Sequence, residues 1–152
     1  SDEKAALALE HGADHVINYN RENFTKRVRE ITGGKGVCAV YDSIGKDTFT
    51  GSLDCLAPLG TMVSFGNASG PVPPFALGEL ANRGSLFVTR PSLGAYMATR
   101  EDLEASAQSL FGVVNSGAVK VDVRQRYDLA DVAQAHIDLE ARKTTGSTIL
   151  VP

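Results

Sequence analysis

No stretch of this 152-residue chain is apolar for the roughly 20 residues that a bilayer-spanning helix needs. An excess of basic charge is missing too. Fifteen Lys and Arg stand against 18 Asp and Glu, a net charge of −3. That balance gives no general attraction to nucleic acid or to an anionic membrane surface, and neither is expected as a partner. Cysteine is scarce: Cys38 and Cys55 lie far apart, with no Cys or His close by in sequence, and His11, His15 and His136 are scattered. Zinc sites need ligands clustered at short spacings, so no metal site is expected. Two structural cysteines in a reduced, cytoplasmic protein fit this usage. The opening SDEKAALALEHG has the pattern of neither a secretory signal nor a transit peptide, and it lacks an initiating Met.

Several chemical signatures are absent as well. There is no G-x-G-x-x-G, no Walker A motif, no G-x-S-x-G elbow and no H-E-x-x-H. Gly33-Gly34-Lys35-Gly36 is the richest glycine cluster, but it follows a helical stretch and precedes a strand-like one. A phosphate cradle needs the reverse order, strand then glycines then helix N-terminus, so a helix stop is the plainer reading.

What is present is the composition of a globular domain, 43% hydrophobic and 22% charged, long enough to bury a core. Ser1 is placed to cap a helix in which Asp2 and Glu3 suit the positive end and Ala5 to Leu9 are strong helix formers, with Gly12 as its stop. His15 to Tyr19 reads as a short strand. Phe24, Val28 and Ile31 form an amphipathic helical stripe closed by Gly33 and Gly34. Val37 to Tyr41 is a continuous apolar run, as expected of a strand buried on both faces. Asp47 is placed to cap a helix carrying Phe49, Leu53 and Leu56, and Pro58 and Gly60 break it before a strand from Thr61 to Ser64.

The prolines at 71, 73 and 74 exclude regular structure there. A short helix around Leu77 to Ala81 then leads to a strand from Ser85 to Thr89, ended by Pro91. Next comes a long helix with a Thr99/Asp102 capping box and Leu103, Leu110 and Val114 on one face, closed by Gly117. Val119 to Val123 alternates like a half-buried strand. Asp128 is placed to cap a helix carrying Val132, Ala135 and Leu139, and Ser147 to Val151 forms a last strand. Strict β and α alternation predicts an α/β fold with a mostly parallel sheet flanked by helices. Ligands of such sheets sit outside the carboxyl ends of the strands. The chain's small, polar strand exits, Asp42-Ser43-Ile44-Gly45 and Gly66-Asn67-Ala68-Ser69-Gly70, suit close approach by a ligand.

Four segments, GADHVINYNRENF, EITGGKGVCAVYDSIGKDTF, SLDCLAPLGTMVSFGNASG and GSLFVTRPSL, together resemble the zinc-free, zeta-crystallin-like NADPH:quinone oxidoreductases. These belong to the medium-chain dehydrogenase/reductase superfamily. The resemblance runs through the ending ARKTTGSTILVP. It implies a C-terminal half only, of members about twice this length. Residues 1–91 would be a partial Rossmann-type NADP-binding domain without its first strands and glycine fingerprint. Residues 92–152 would be a helix and strand segment that completes the catalytic domain.

The resemblance also implies site residues. Lys4 and Tyr19, with Ser1 beside them, would hold the adenosine 2′-phosphate of NADPH. A cation and a phenol suit a phosphate, although Asp2 and Glu3 weaken that preference. On the residues alone, a solvated helix lysine and a half-buried strand-end tyrosine are the preferred reading of both. Ser43 and Gly45 would line the groove near the ribose, and Phe65, Gly66 and Asn67 would pass the nicotinamide half. Thr89 and Arg90 would continue that wall, and Arg142 would lie near the cofactor or else simply favour its helix end.

No catalytic acid or base is implied, because hydride transfer is the cofactor's own chemistry. Asp42 reads as an anchor for local backbone. The implied partners are a quinone or enone substrate and a second copy of the chain, paired through the strand from Ser85 to Leu93. The fragment by itself would be inactive. An enoyl or alkenal reductase of the same superfamily is the alternative, as is a non-catalytic NADPH-sensing or nucleic-acid-binding relative.

Overall fold

A computed structural model describes residues 2–152, so the expected cap at Ser1 lies outside the described residues. The chain forms two compact units, one ending at Tyr96 and the other running Met97–Pro152. Among the described residues, no helix is long and apolar enough to cross a membrane.

The first unit begins with α1 (Asp2–Glu10) and α2 (Phe24–Ile31). Asn23 caps α2, its side chain accepting from the Lys26 N–H at 2.8 Å. Then β1 (Val37–Asp42), α3 (Phe49–Cys55) and β2 (Leu56–Ser64) alternate, followed by α4 (Gly78–Asn82), β3 (Phe87–Thr89) and the single turn α5 (Leu93–Tyr96). The three strands form one parallel sheet in the order β1-β2-β3, the α/β arrangement that the alternation predicts. Val40, Met62 and Val88 sit side by side in this sheet. They face a core of Phe49, Leu53, Leu56, Met62 and Leu86, closed over by Val72 and Leu80. Removing such side chains from water is the main stabilising term, about 1.5–3 kcal/mol each.

The other face is different. Tyr41, Val63 and Thr89 align there, and Tyr41 is 74% exposed and Phe87 59% exposed. The expectation that residues 37–41 are buried on both faces is therefore corrected. Cys38, expected to be structural, is exposed, whereas Cys55 is buried, and both are free thiols.

Further corrections concern elements that depend on partners. His15 to Tyr19 forms no strand, because it finds no ladder among the described residues, whatever its β propensity. Strand β2 begins at Leu56, earlier than expected. Its pairing is irregular, since Val37 lies opposite Leu56 and Ala39 opposite Thr61, and the segment with Pro58 and Gly60 bulges out with Leu59 at φ 61°. Strand β3 begins at Phe87 rather than Ser85, whose own φ is 58°. Asp47 does not cap α3; Thr48 holds the cap position, and its hydroxyl is directed elsewhere.

The second unit contains α6 (Arg100–Asn115), β4 (Val123–Asp128), a 3-10 turn (Leu129–Asp131), α7 (Val132–Glu140) and β5 (Ser147–Val151). The capping box of α6 is present: the Asp102 N–H donates to the Thr99 hydroxyl at 3.1 Å, and the Asp102 carboxylate accepts from the Thr99 N–H at 3.3 Å. Leu103 and Leu110 on this helix are exposed.

The strand expected at 119–123 lies instead at β4, paired in parallel with β5. Val119 N–H is taken by the Val113 carbonyl at 3.1 Å, which closes α6, and ladder register with β5 outweighs the local alternation. Asp128 ends β4 and makes no side-chain cap bond. Asp138 on α7 accepts from the Tyr127 hydroxyl of β4 at 3.0 Å.

Candidate functional site

Asp42 and Ser64 are paired residues at the carboxyl ends of β1 and β2, so the two exit loops leave the sheet side by side. Asp42 ties them together. Its Oδ1 accepts the Ile44 N–H at 2.8 Å and the Gly45 N–H at 2.9 Å, which folds the first loop back on itself. Its Oδ2 accepts the hydroxyls of Thr48 at 2.7 Å and Ser52 at 2.8 Å, which fixes the loop to the start of α3. Its main-chain carbonyl accepts from Phe65 N at 2.9 Å and Gly66 N at 3.3 Å, which fixes the second loop to the first. Burial pushes the Asp42 carboxyl up, but the bonds from Gly45, Thr48, Ser52 and Ile44 outweigh it and hold the group below its ordinary value. Asp42 is therefore a carboxylate that anchors backbone, as its place at a strand end suggests.

The loops also bond directly. Ala68 N donates to Ser43 O at 3.1 Å and Ser69 N to Ile44 O at 2.8 Å, while the Ser69 hydroxyl donates to Ile44 O at 2.9 Å and accepts from Asp47 N at 3.0 Å. They come so close that a Cβ on Gly66 would stand 2.3 Å from the Ser43 carbonyl oxygen. Gly45, at φ 90°, would carry a Cβ 2.6 Å from Gly70 O. Only glycine suits either place.

Cavities open on both sides of this unit. One of about 210 Å3 is lined by Tyr19, Phe24, Tyr41, Asp42, Ser43 and Ile44, with Thr48 and Ser52 behind them. It brings together two expected site residues, Tyr19 and Ser43. A larger cleft of about 580 Å3 has apolar walls that include Phe49, Val72, Phe75 and Val88, and it is bordered by Asn67 and Arg90, two more of the expected set. Nη1 of Arg90 donates to Ser64 O at 2.9 Å and Gly66 O at 3.1 Å, which holds the end of β2 from the third strand. Phe65 is half exposed on the second loop, next to Gly66, and Thr89 lies on the exposed face of the sheet.

Other expected residues are not brought to these cavities. Lys4 is half-buried on α1 and lines neither. Arg142 belongs to the second unit, exposed and in the left-handed conformation at φ 58°. Ser1 lies outside the described residues. Thr48 and Ser52 are not among the residues expected from the sequence, and Ser69 is expected only as part of a small, polar strand exit. A visible signal existed for the first two, hydroxyls four positions apart and therefore on one side of a helix start, but nothing local marks Ser69, which bonds across to the other loop.

Among the described residues, no group of three or more His, Cys, Asp and Glu is placed to hold a metal ion.

Comparison with known proteins gives a consistent answer. Residues 11–150 match the family model described as zinc-binding dehydrogenase. A quinone oxidoreductase of Pseudomonas aeruginosa is 55% identical over 152 residues, which is all of this chain and 47% of that protein. A 2-haloacrylate reductase of a Burkholderia species is 46% identical, over all of this chain and 46% of its own length. Among solved structures, the Escherichia coli quinone oxidoreductase complexed with NADPH superposes with a TM-score of 0.95 at 52% identity, covering all of this chain and 47% of that one. The chain thus spans about half the length of the curated relatives it matches. The described residues offer no donor set for the metal in the family's description, so no role is assigned to zinc. With paired loops at the carboxyl ends of a parallel sheet, and with the match running through nearly its whole length, this chain belongs to the zinc-binding dehydrogenase family, alongside the quinone oxidoreductases.

Proposed function

We propose that this chain is the cofactor-binding part of an oxidoreductase that passes a hydride from NADPH to a quinone. The observation that carries the reading is the pair of bonded loops leaving neighbouring parallel strands, with a cavity on each side of them. Strand-end loops of parallel sheets are where dinucleotides bind. Further support comes from the likeness to a quinone oxidoreductase solved with NADPH. When bound, NADPH supplies the hydride, and the protein's part is to bind and orient two planar partners.

In this reading Tyr19 and Lys4, with Ser1, serve the adenosine 2′-phosphate, and Ser43 lines the ribose side. Phe65, Gly66, Asn67, Thr89 and Arg90 form the nicotinamide side, where backbone groups of the second loop meet the carboxamide. Residues 1–91 act as the partial NADP-binding domain and residues 92–152 complete a catalytic domain. The edge strand β3, which pairs with β2 on one side, joins a second copy through the segment from Ser85 to Leu93.

The test is NADPH oxidation by the full-length protein with a quinone as acceptor. Quinone-dependent turnover is expected, and the 152-residue chain by itself should show none. Turnover by that chain at the rate of the intact protein would overturn the assignment. A second reading, reduction of an activated carbon–carbon double bond, is favoured by the 46% identity to a 2-haloacrylate reductase. Higher kcat/KM on haloacrylates or enones than on quinones would select it.

A further inference from the structure

Asp42 spans the boundary between the two cavities. The residue lines the smaller one, with Tyr19 and Ser43. Its carbonyl holds the Phe65 and Gly66 amides at the loop that borders the larger cleft through Asn67. The carboxylate is buried, with four donors on its two oxygens.

We infer that Asp42 is a positioning residue that sets the two strand-end loops relative to each other, and so couples the two halves of the dinucleotide groove. The inference rests on the NADPH reading above. A bipartite ligand gains over its separate halves only while the two subsites keep a spacing that its own linkage can match. Without the carboxylate, the Ile44 and Gly45 N–H groups lose their acceptor and the first loop is free to turn. The second loop hangs from that same segment through Asp42 O, Ser43 O and Ile44 O, so it moves with it. Tyr19 and Lys4, assigned to the 2′-phosphate, lie on other segments and keep their places, whereas the spacing of the two loops is lost.

The experiment compares NADPH with 2′,5′-ADP, which presents the adenosine half alone, on the full-length protein well below its melting temperature. In Asp42→Ala the Kd for NADPH should rise about tenfold, the ~1.4 kcal/mol of one partly lost linkage, while the Kd for 2′,5′-ADP changes less than threefold. Asp42→Asn keeps the shape and the Oδ1 acceptor and should restore most of the NADPH affinity. Should Asp42→Ala fail to fold, Thr48→Val removes one donor to Oδ2 and should reproduce the selective loss at about threefold, with Thr48→Ser restoring it. Equal losses for both ligands would overturn the coupling in favour of general loosening, as would unchanged affinity for both. Absence of NADPH binding in the unaltered protein would instead overturn the cofactor reading and this inference with it.

Discussion

Gly66→Ala tests the loop contact at the centre of the site. The added Cβ would lie 2.3 Å from Ser43 O, 2.7 Å from Ser43 Cα and 2.8 Å from Ser43 C. The first of these is roughly 1 Å short of ordinary contact. All three atoms are backbone, so no rotamer change relieves the overlap. The loops must part, and the bonds from Phe65 N and Gly66 N to Asp42 O, at 2.9 and 3.3 Å, and from Ala68 N to Ser43 O, at 3.1 Å, lengthen together. Overpacking of this kind costs about 1–3 kcal/mol, and each weakened bond adds up to about 1 kcal/mol. A total near 3 kcal/mol would lower Tm by roughly 6–12 °C for a domain of this size. Differential scanning calorimetry of the full-length protein reads the shift.

Gly78→Ala is the matched control, because nothing lies within 4 Å of its added Cβ and its φ is ordinary. At a helix start it should be neutral or raise Tm slightly. If Gly66→Ala melts together with the control, the two loops are not in close contact, and Asp42 does not couple them.

Two more outcomes follow from the same first unit. Arg29 donates to Asp54 O at 2.7 and 3.0 Å, to Leu56 O at 2.8 Å and to Gly34 O at 3.0 Å, closing the carbonyl end of α3. Arg29→Ala should cost about 2–4 kcal/mol in urea unfolding. Arg29→Lys should recover only part of that, since one ammonium cannot span three carbonyls, and full recovery would contradict the fork geometry. Asp42 titrates below its ordinary value of 3.8 in the folded chain, so the folded state binds fewer protons there than the unfolded one. Its stabilisation is complete above the unfolded value and disappears as pH falls through the lower folded one. The stability gap between the natural protein and Asp42→Asn should hold steady from about pH 7 to 5 and close below about pH 4. A gap that widens on acidification would reverse the assigned direction.

Local signals account for much of the fold. The helix formers of α1, the Phe24/Val28/Ile31 stripe, the Thr99/Asp102 capping box and the β-branched run of β5 all lie where neighbouring residues in the chain suffice to specify them. Helices carry their own hydrogen bonds, so their residues announce them. Strands do not, and the misplacements fall there: 15–19 forms no ladder, β4 lies after 119–122, and β2 starts early around a bulge.

The sequence by itself determined the α/β alternation, the glycine and proline punctuation and the polar character of the two strand exits. Only the tertiary structure decided which sheet face is covered. It also decided that Asp42 gathers Thr48 and Ser52 from α3 while holding Phe65 and Gly66 from the next loop. The physical reason is range. A helix or a turn is settled by residues a few positions apart, whereas the approach of Gly66 to Ser43 depends on two strands pairing in one register, with Asp42 opposite Ser64.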